Sequence, residues 1–263
     1  MTGLGRTGAD LFDCTGRRIL VIGGGSGIGL ACAAAVLRAG ASVFLSGRRV
    51  DRLRQAAEEL RSAGRVGWNA GDATQPGDVA EVIRAAVAFL GGLDGLIVSA
   101  GTSDVASVFA ITPGRFDAVI AANLNPAYLA VHHAAEHLVA SGRGAVVLIG
   151  SAYGVVGMAE RLAYSTAKAG LLGMVRSMAL DLAPHGVRVN AVSPGVIETE
   201  LFFETLRREA DPDAMLAKRR AMHPIGRTGR PEEVAAAVLL LVSDAGGFIT
   251  GQNLLVDGGL TAA

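Results

Sequence analysis

Lysine is almost absent from this chain: of 24 basic residues, only Lys168 and Lys218 are lysines and the rest are arginines. Acidic residues also number 24, so the formal net charge is zero. That balance gives no electrostatic footing for nucleic acid or an anionic membrane as partner. Cysteine is scarce as well. Cys14 and Cys32 stand far apart in no metal-ligand spacing and read as reduced, packed thiols of a cytoplasmic protein. Residues 1–13 mix Gly, Arg and Asp without an apolar run, so no leader is visible. The longest uninterrupted apolar stretch, 234–242, is about half of what spans a bilayer.

Glycine and aliphatic residues are plentiful. Thirty-six glycines, 51% hydrophobic and 18% charged residues describe a well-buried α/β protein with many tight turns. After an irregular arm over 1–16, short apolar runs alternate with helical patterns. Strands are predicted at 18–22, 41–45, 66–70, 95–99, 145–149, 187–192 and 253–256. Helices are predicted at 28–38, 50–63, 77–90, 114–141, 164–183 and 231–243. Continuous apolar strands separated by helices imply a doubly wound, Rossmann-type parallel sheet of about seven strands, covered on both faces. No linker, charge block or repeat divides the chain, so one domain over 1–263 is expected. The irregular stretch 196–224 then reads as a substrate-binding loop.

The first strand runs into Gly23-Gly24-Gly25-Ser26-Gly27-Ile28-Gly29, directly before a helix. This is a G-x-x-x-G-x-G turn on Gly23, Gly27 and Gly29. Absent Cβ atoms let backbone approach a pyrophosphate, and the helix N-terminus adds free N–H groups and a favourable dipole. Ser26 and Ile28 fall within the cradle. The second strand ends Gly47-Arg48-Arg49, with Gly47 where an acid would hold adenosine ribose hydroxyls. Two guanidinium groups suit a 2′-phosphate, so NADP(H) is expected over NAD(H).

Tyr164 and Lys168 stand four apart on one predicted helix, with Ser151 thirteen residues upstream of the tyrosine and Asn123 earlier still. Hydride exchange between a secondary alcohol and a ketone needs a proton acceptor or donor at the oxygen. A phenol titrates near 10, too high for a base at neutrality. A cation about 5 Å away, at an effective dielectric of 20, offers about 3 kcal/mol, roughly two pKa units. Lys168 is placed to supply much of that shift. Ser151 falls at the carboxyl end of the fifth strand, where open α/β sheets bind ligands, and its hydroxyl can hold the substrate oxygen.

In this order the residues resemble the classical short-chain dehydrogenase/reductase family, over nearly the whole chain from about Gly16 onward. Asp72, Pro194-Gly195 and the terminal Val256-Asp257-Gly258-Gly259 extend the resemblance. It implies Tyr164 as general acid/base, and Lys168 bonded to the nicotinamide ribose. It further implies that Asn123 holds a water linking Lys168 to solvent. Pro194, Gly195, Val196 and Thr199 match the nicotinamide contacts, Asp72 and Ala73 an adenine contact, and Ala100-Gly101 the turn after the fourth strand. Tyr153, Leu162, Phe202 and Phe203 are pocket candidates. The family is usually tetrameric, pairing the Tyr164 helix and the C-terminal segment across subunits.

Two positions depart from the family pattern. Ile22 stands where threonine is common, and Val98-Ser99 where two asparagines are common. A coordinated swap is expected, in which Ile22 and Val98 pack an apolar contact in place of hydrogen bonds. His133-Ala-Ala-Glu136-His137 matches a metalloprotease pattern but lacks a third ligand, so a solvated helix face, and no metal, is expected. Two other readings stand beside an oxidoreductase on a small alcohol or ketone. One is a catalytically silent dinucleotide-binding regulator; the other is a Gly-rich methyltransferase, which needs no Tyr-x-x-x-Lys.

Overall fold

The structure, a computed structural model, describes Gly8 and residues 10–262. Seven strands lie in one parallel sheet: β1 Arg18–Ile22, β2 Ser42–Gly47, β3 Val66–Ala70, β4 Gly95–Val98, β5 Ala145–Ile149, β6 Arg188–Pro194 and β7 Asn253–Val256. Their order is β3-β2-β1-β4-β5-β6-β7. The chain therefore reverses its direction of travel across the sheet between β1 and β4, and that switch opens a crevice at the strands' carboxyl ends.

Alternation within the strands sends side chains to two separate cores. Leu20 and Ile22 of β1 join Leu96 and Val98 of β4 on one face. They pack there against α3 (Pro76–Leu90), α4 (Pro113–Ala140) and α5 (Leu162–Leu182). Ile19, Val21 and Ile97 turn to the other face, against α1 (Gly27–Arg38), α2 (Val50–Leu60) and α8 (Pro231–Val242). Strands buried on both sides explain why they read as unbroken apolar runs. Ile22 and Val98 are register partners on neighbouring strands and belong to one core, as the swap requires.

The amino ends of the strands are closed by charge. Asp94, fully buried, accepts from Arg18 Nε and Nη2 at 2.8 Å each and from Arg143 Nε at 3.1 Å. Burial pushes the Asp94 carboxyl up, but the Arg18 and Arg143 hydrogen bonds outweigh it and hold it below its usual range.

Two expectations change. The stretch 196–224 is not irregular: it carries α6 (Glu200–Leu206) and α7 (Pro212–Ala221). Thr199 caps the first, accepting from Phe202 N at 3.2 Å, and Asp211 caps the second, accepting from Ala214 N at 3.0 Å. The expected arm falls partly outside the described residues, at 1–7 and 9. Its later part is packed, since Asp10–Phe12 forms a 3-10 turn and buried Cys14 donates its N–H to Ala39 O at 2.7 Å. Burial pushes the Cys14 thiol to about 11 and the Cys32 thiol to about 12, so both are inert.

Candidate active site

The glycine turn sits at the switch point. Gly23 has φ +83, and a Cβ there would lie 2.8 Å from Ala100 N, so the β1 and β4 turns close only around glycine. A Cβ on Gly29 would overlap the Gly23 carbonyl oxygen, while one on Gly27 would meet Thr199 Cγ2 at 3.3 Å. Thr199 thus faces the turn from the far side of the crevice. Ser26 is the N-cap of α1 but makes no capping bond, which leaves the first N–H groups of α1 without a side-chain acceptor. Its Oγ instead accepts from Arg49 Nη2 at 3.3 Å. Arg48 and Arg49 are exposed beside it.

Asp72 and Ala73 line a small crevice with Ile22, Ser46 and Val79. Asp72 Oδ1 accepts from Thr74 N at 2.9 Å and Thr74 Oγ1 at 2.8 Å. These bonds, with a smaller contribution from the Arg48 charge, hold its carboxyl below the usual range. A bare helix N-terminus behind a cradle that a Cβ would fill, with a carboxylate at one end, fits a dinucleotide.

At the other end Lys168, Asn123 and Gly101 converge. Lys168 is buried, and its Nζ donates to Ile149 O at 2.9 Å. A Cβ on Gly101 would lie 2.8 Å from Asn123 Oδ1 and 3.6 Å from Lys168 Nζ, so this turn lies flat against both. Asn123 Nδ2 donates to Val119 O at 2.9 Å, and its Oδ1 accepts from Thr102 N at 3.3 Å. Pro126, inside α4, has no N–H and leaves the carbonyl four residues earlier, that of Ala122, without its helical donor.

Tyr164 is half-buried and Ser151 buried. Ser151 Oγ accepts from Tyr153 N at 3.2 Å, a contact that does not use its own O–H. Burial raises the Tyr164 phenol above its ordinary value, against the opposing effects of Ser151 hydrogen bonding and the Arg161 charge. The expected downward pull from Lys168 is therefore not the main offset among the protein groups. Its ammonium is turned to the Ile149 carbonyl, 5.8 Å from the Tyr164 ring centroid, and burial lowers its own pKa from 10.5 to about 8.

Pro194 ends β6, and Gly195 N donates to Val256 O at 3.1 Å. Val196 N donates to Nε2 of buried His223 at 3.1 Å, and His223 Nδ1 lies 2.9 Å from Arg219 O. An acceptor Nε2 requires the proton on Nδ1, so His223 ties α7 to this segment as a neutral ring. Of the pocket candidates, Tyr153 stands beside Ser151, and Leu162 opens α5 partly exposed. Phe202 is instead buried against Arg219, whose Cζ lies 5.2 Å from its ring centroid, while Phe203 is exposed. A cavity of about 340 Å³ opens behind Gly195 and Val196, lined by His223, Ile225 and Asp257, and does not reach the Tyr164 cluster.

His223, Arg161 and Arg219 were not singled out from sequence. Position three before Tyr164 marked Arg161; nothing local marked the other two. Among the described residues, no group of three His, Cys, Asp or Glu side chains could hold a metal, the 133–137 pattern included. No helix among them is long and apolar enough to cross a membrane.

The doubly wound parallel sheet is a Rossmann-type fold. A family model described as Enoyl-(Acyl carrier protein) reductase matches residues 23–261. The chain is 38% identical to 2-(S)-hydroxypropyl-CoM dehydrogenase 3 of Xanthobacter autotrophicus, covering 93% of this chain and 96% of that protein. It is 40% identical to cis-4-hydroxycyclohexanecarboxylate dehydrogenase of Sinomonas cyclohexanicum, over 94% and 97%. A short-chain type dehydrogenase/reductase from Mycobacterium marinum superposes with a TM-score of 0.90 at 33% identity, covering 97% of this chain and 99% of that one. The chain belongs to the short-chain dehydrogenase/reductase family and is an oxidoreductase acting on CH–OH groups with an NAD(P) dinucleotide.

Proposed function

We propose that this single catalytic domain interconverts a secondary alcohol and a ketone, with Tyr164 as the general acid/base. The observation that carries the reading is the convergence of Tyr164, Ser151, Lys168 and Asn123 at the carboxyl ends of β4 and β5. A bound nicotinamide dinucleotide supplies the two-electron acceptor for the hydride leaving the carbinol carbon. Tyr164 Oη takes the hydroxyl proton in that direction and returns it to the developing alkoxide in the other. Ser151 donates its O–H to the same oxygen. Lys168, buried beside Asn123 of α4 and the Gly101 turn, would hold the ribose and pass the proton outward from Tyr164. Val196 and Thr199 border the nicotinamide end, with Val196 fixed by His223.

NADP(H) is the preferred dinucleotide. Arg49 reaches Ser26 at the glycine turn, Arg48 lies near Asp72, and Gly47 offers no acid to repel a 2′-phosphate. NADPH should bind at least about tenfold tighter than NADH; equal Kd values would refute the preference. The same chain is read as a cytoplasmic homotetramer, with exposed Leu180 on α5 and exposed Phe248 near β7 available for pairing. Sedimentation velocity reads that assembly directly. The reaction itself is tested by a panel of secondary alcohols and ketones with both dinucleotides. Dinucleotide binding with no turnover across a broad panel would favour the silent regulator instead.

A further inference from the structure

Arg161 has no part in proton transfer, yet it stands three residues before the phenol with its guanidinium fixed by two hydrogen bonds. It is the N-cap residue of α5, three before Tyr164, so the two side chains leave the chain about one helical turn apart. Glu160, just before it, has φ 61, the only non-glycine positive φ among the described residues. That left-handed conformation is costly for a residue with a Cβ. It is held by Ala106, which bridges to Arg161 and donates its N–H to Glu160 O at 2.8 Å. Backbone strain of this kind concentrates at working sites.

The guanidinium is pinned at one corner and open elsewhere. Arg161 Nη1 donates to Ser103 Oγ and to Asp104 O, each at 2.7 Å. The Asp104 carboxylate is engaged by Arg115 at 2.7 Å, and no acidic side chain among the described residues lies within ion-pair distance of Arg161. Nε and Nη2 therefore remain as free donors. Arg219 approaches from α7 over the Phe202 ring, its acid partner Glu209 a loose 3.8 Å away. Burial raises the Tyr153 and Tyr164 phenols; the Arg161 and Arg219 charges oppose it at Tyr153, and the Arg161 charge opposes it at Tyr164. A neutral substrate would shield these two cations from water without a counter-charge, whereas an oxyanion pairs with the open edge of a guanidinium fork.

We propose that the substrate is a secondary alcohol, or its ketone, that also carries a carboxylate, and that Arg161 binds this carboxylate with Arg219 closing over it from α7. This rests on the dehydrogenase reading above and adds the substrate class.

The test uses unreactive probes, so that binding and chemistry fail separately. Cyclohexanecarboxylate and cyclohexanecarboxamide are titrated by calorimetry into the full-length protein saturated with dinucleotide. The carboxylate should bind about tenfold tighter or more, both in the parent protein and in Tyr164→Phe, and Arg161→Gln should erase that ratio. Arg161→Lys, which keeps the charge and loses the fork, should fall between. The ratio within one variant is insensitive to loss of folded protein if the 103–106 turn loosens, and Arg176→Gln, exposed on the same helix, should leave it as it is. Equal binding of the two probes, undetectable carboxylate binding, or an Arg161→Gln variant that weakens both alike would overturn the proposal. Arg161-dependent binding without oxidation of any alcohol would instead overturn the dehydrogenase reading while supporting the anion site.

Discussion

Replacing Lys168 by methionine should stabilise the folded protein at neutral pH while removing most of its turnover. The ammonium is buried, meets Ile149 O at 2.9 Å, and is pulled by burial from 10.5 to about 8. Holding that proton at pH 7 costs about 3 kcal/mol relative to the unfolded chain. The lost hydrogen bond returns about 1 kcal/mol of that, leaving a net gain of about 2 kcal/mol for methionine. In a chain of this size the gain corresponds to roughly 4–8 °C in Tm. The pH dependence follows from the direction of the shift. A lysine with a lowered folded pKa is fully destabilising below about 8. The penalty fades as pH rises toward 10.5, because there the unfolded chain binds the proton and the folded one does not. Calorimetry at pH 7 and pH 10 would show the advantage of Lys168→Met shrinking between them. A lower Tm than the parent at pH 7, or an advantage undiminished at pH 10, would refute the reasoning.

Asp94→Asn should cost about 1.5–3 kcal/mol at neutral pH, since Arg18 and Arg143 lose their charged hydrogen-bond acceptor but remain partly solvated. Because the Asp94 carboxyl is held low in the fold, its contribution is present above the ordinary carboxylate range and lost as pH falls through the lowered folded value. Acid titration of the variant should therefore show a shallower loss of stability below about pH 4 than the parent. His223→Ala should weaken dinucleotide binding about tenfold by freeing the part-buried Val196 N–H, and His223→Gln, which can accept and donate at once, should restore most of it. Equal Kd values in parent and alanine variant would show that this link does not shape the nicotinamide end.

The strands were legible because burial on both faces forces unbroken apolar runs, and β1, β3, β5 and β7 fall where those runs fall. β2 and β6 extend further, through Ser46-Gly47 and Ser193-Pro194, because backbone pairing to β3 and β7 continues after the apolar side chains stop. Thr199 and Asp211 cap α6 and α7, but α6 has only seven residues, too few for a periodic pattern to emerge. Tyr164, Ser151, Asn123 and Lys168 could be read from residue type and order, because their spacing along elements follows the path of the sheet. What spacing does not carry is solvation. Four residues separate Tyr164 from Lys168, but only the packing of Gly101, Asn123 and Ile149 around the ammonium reveals that burial acts on both groups. The roles of His223 and Arg219 likewise depend on chain segments that meet only after the end of α7 returns to Val196, beyond β6, and to Phe202 of α6.

The acid/base assignment rests on one hydroxyl, so Tyr164→Phe tests it most directly. Steady-state oxidation of a secondary alcohol that the parent protein turns over should fall by about 10²–10⁴-fold in kcat in the variant, with dinucleotide binding retained. Turnover unchanged from the parent would contradict the account.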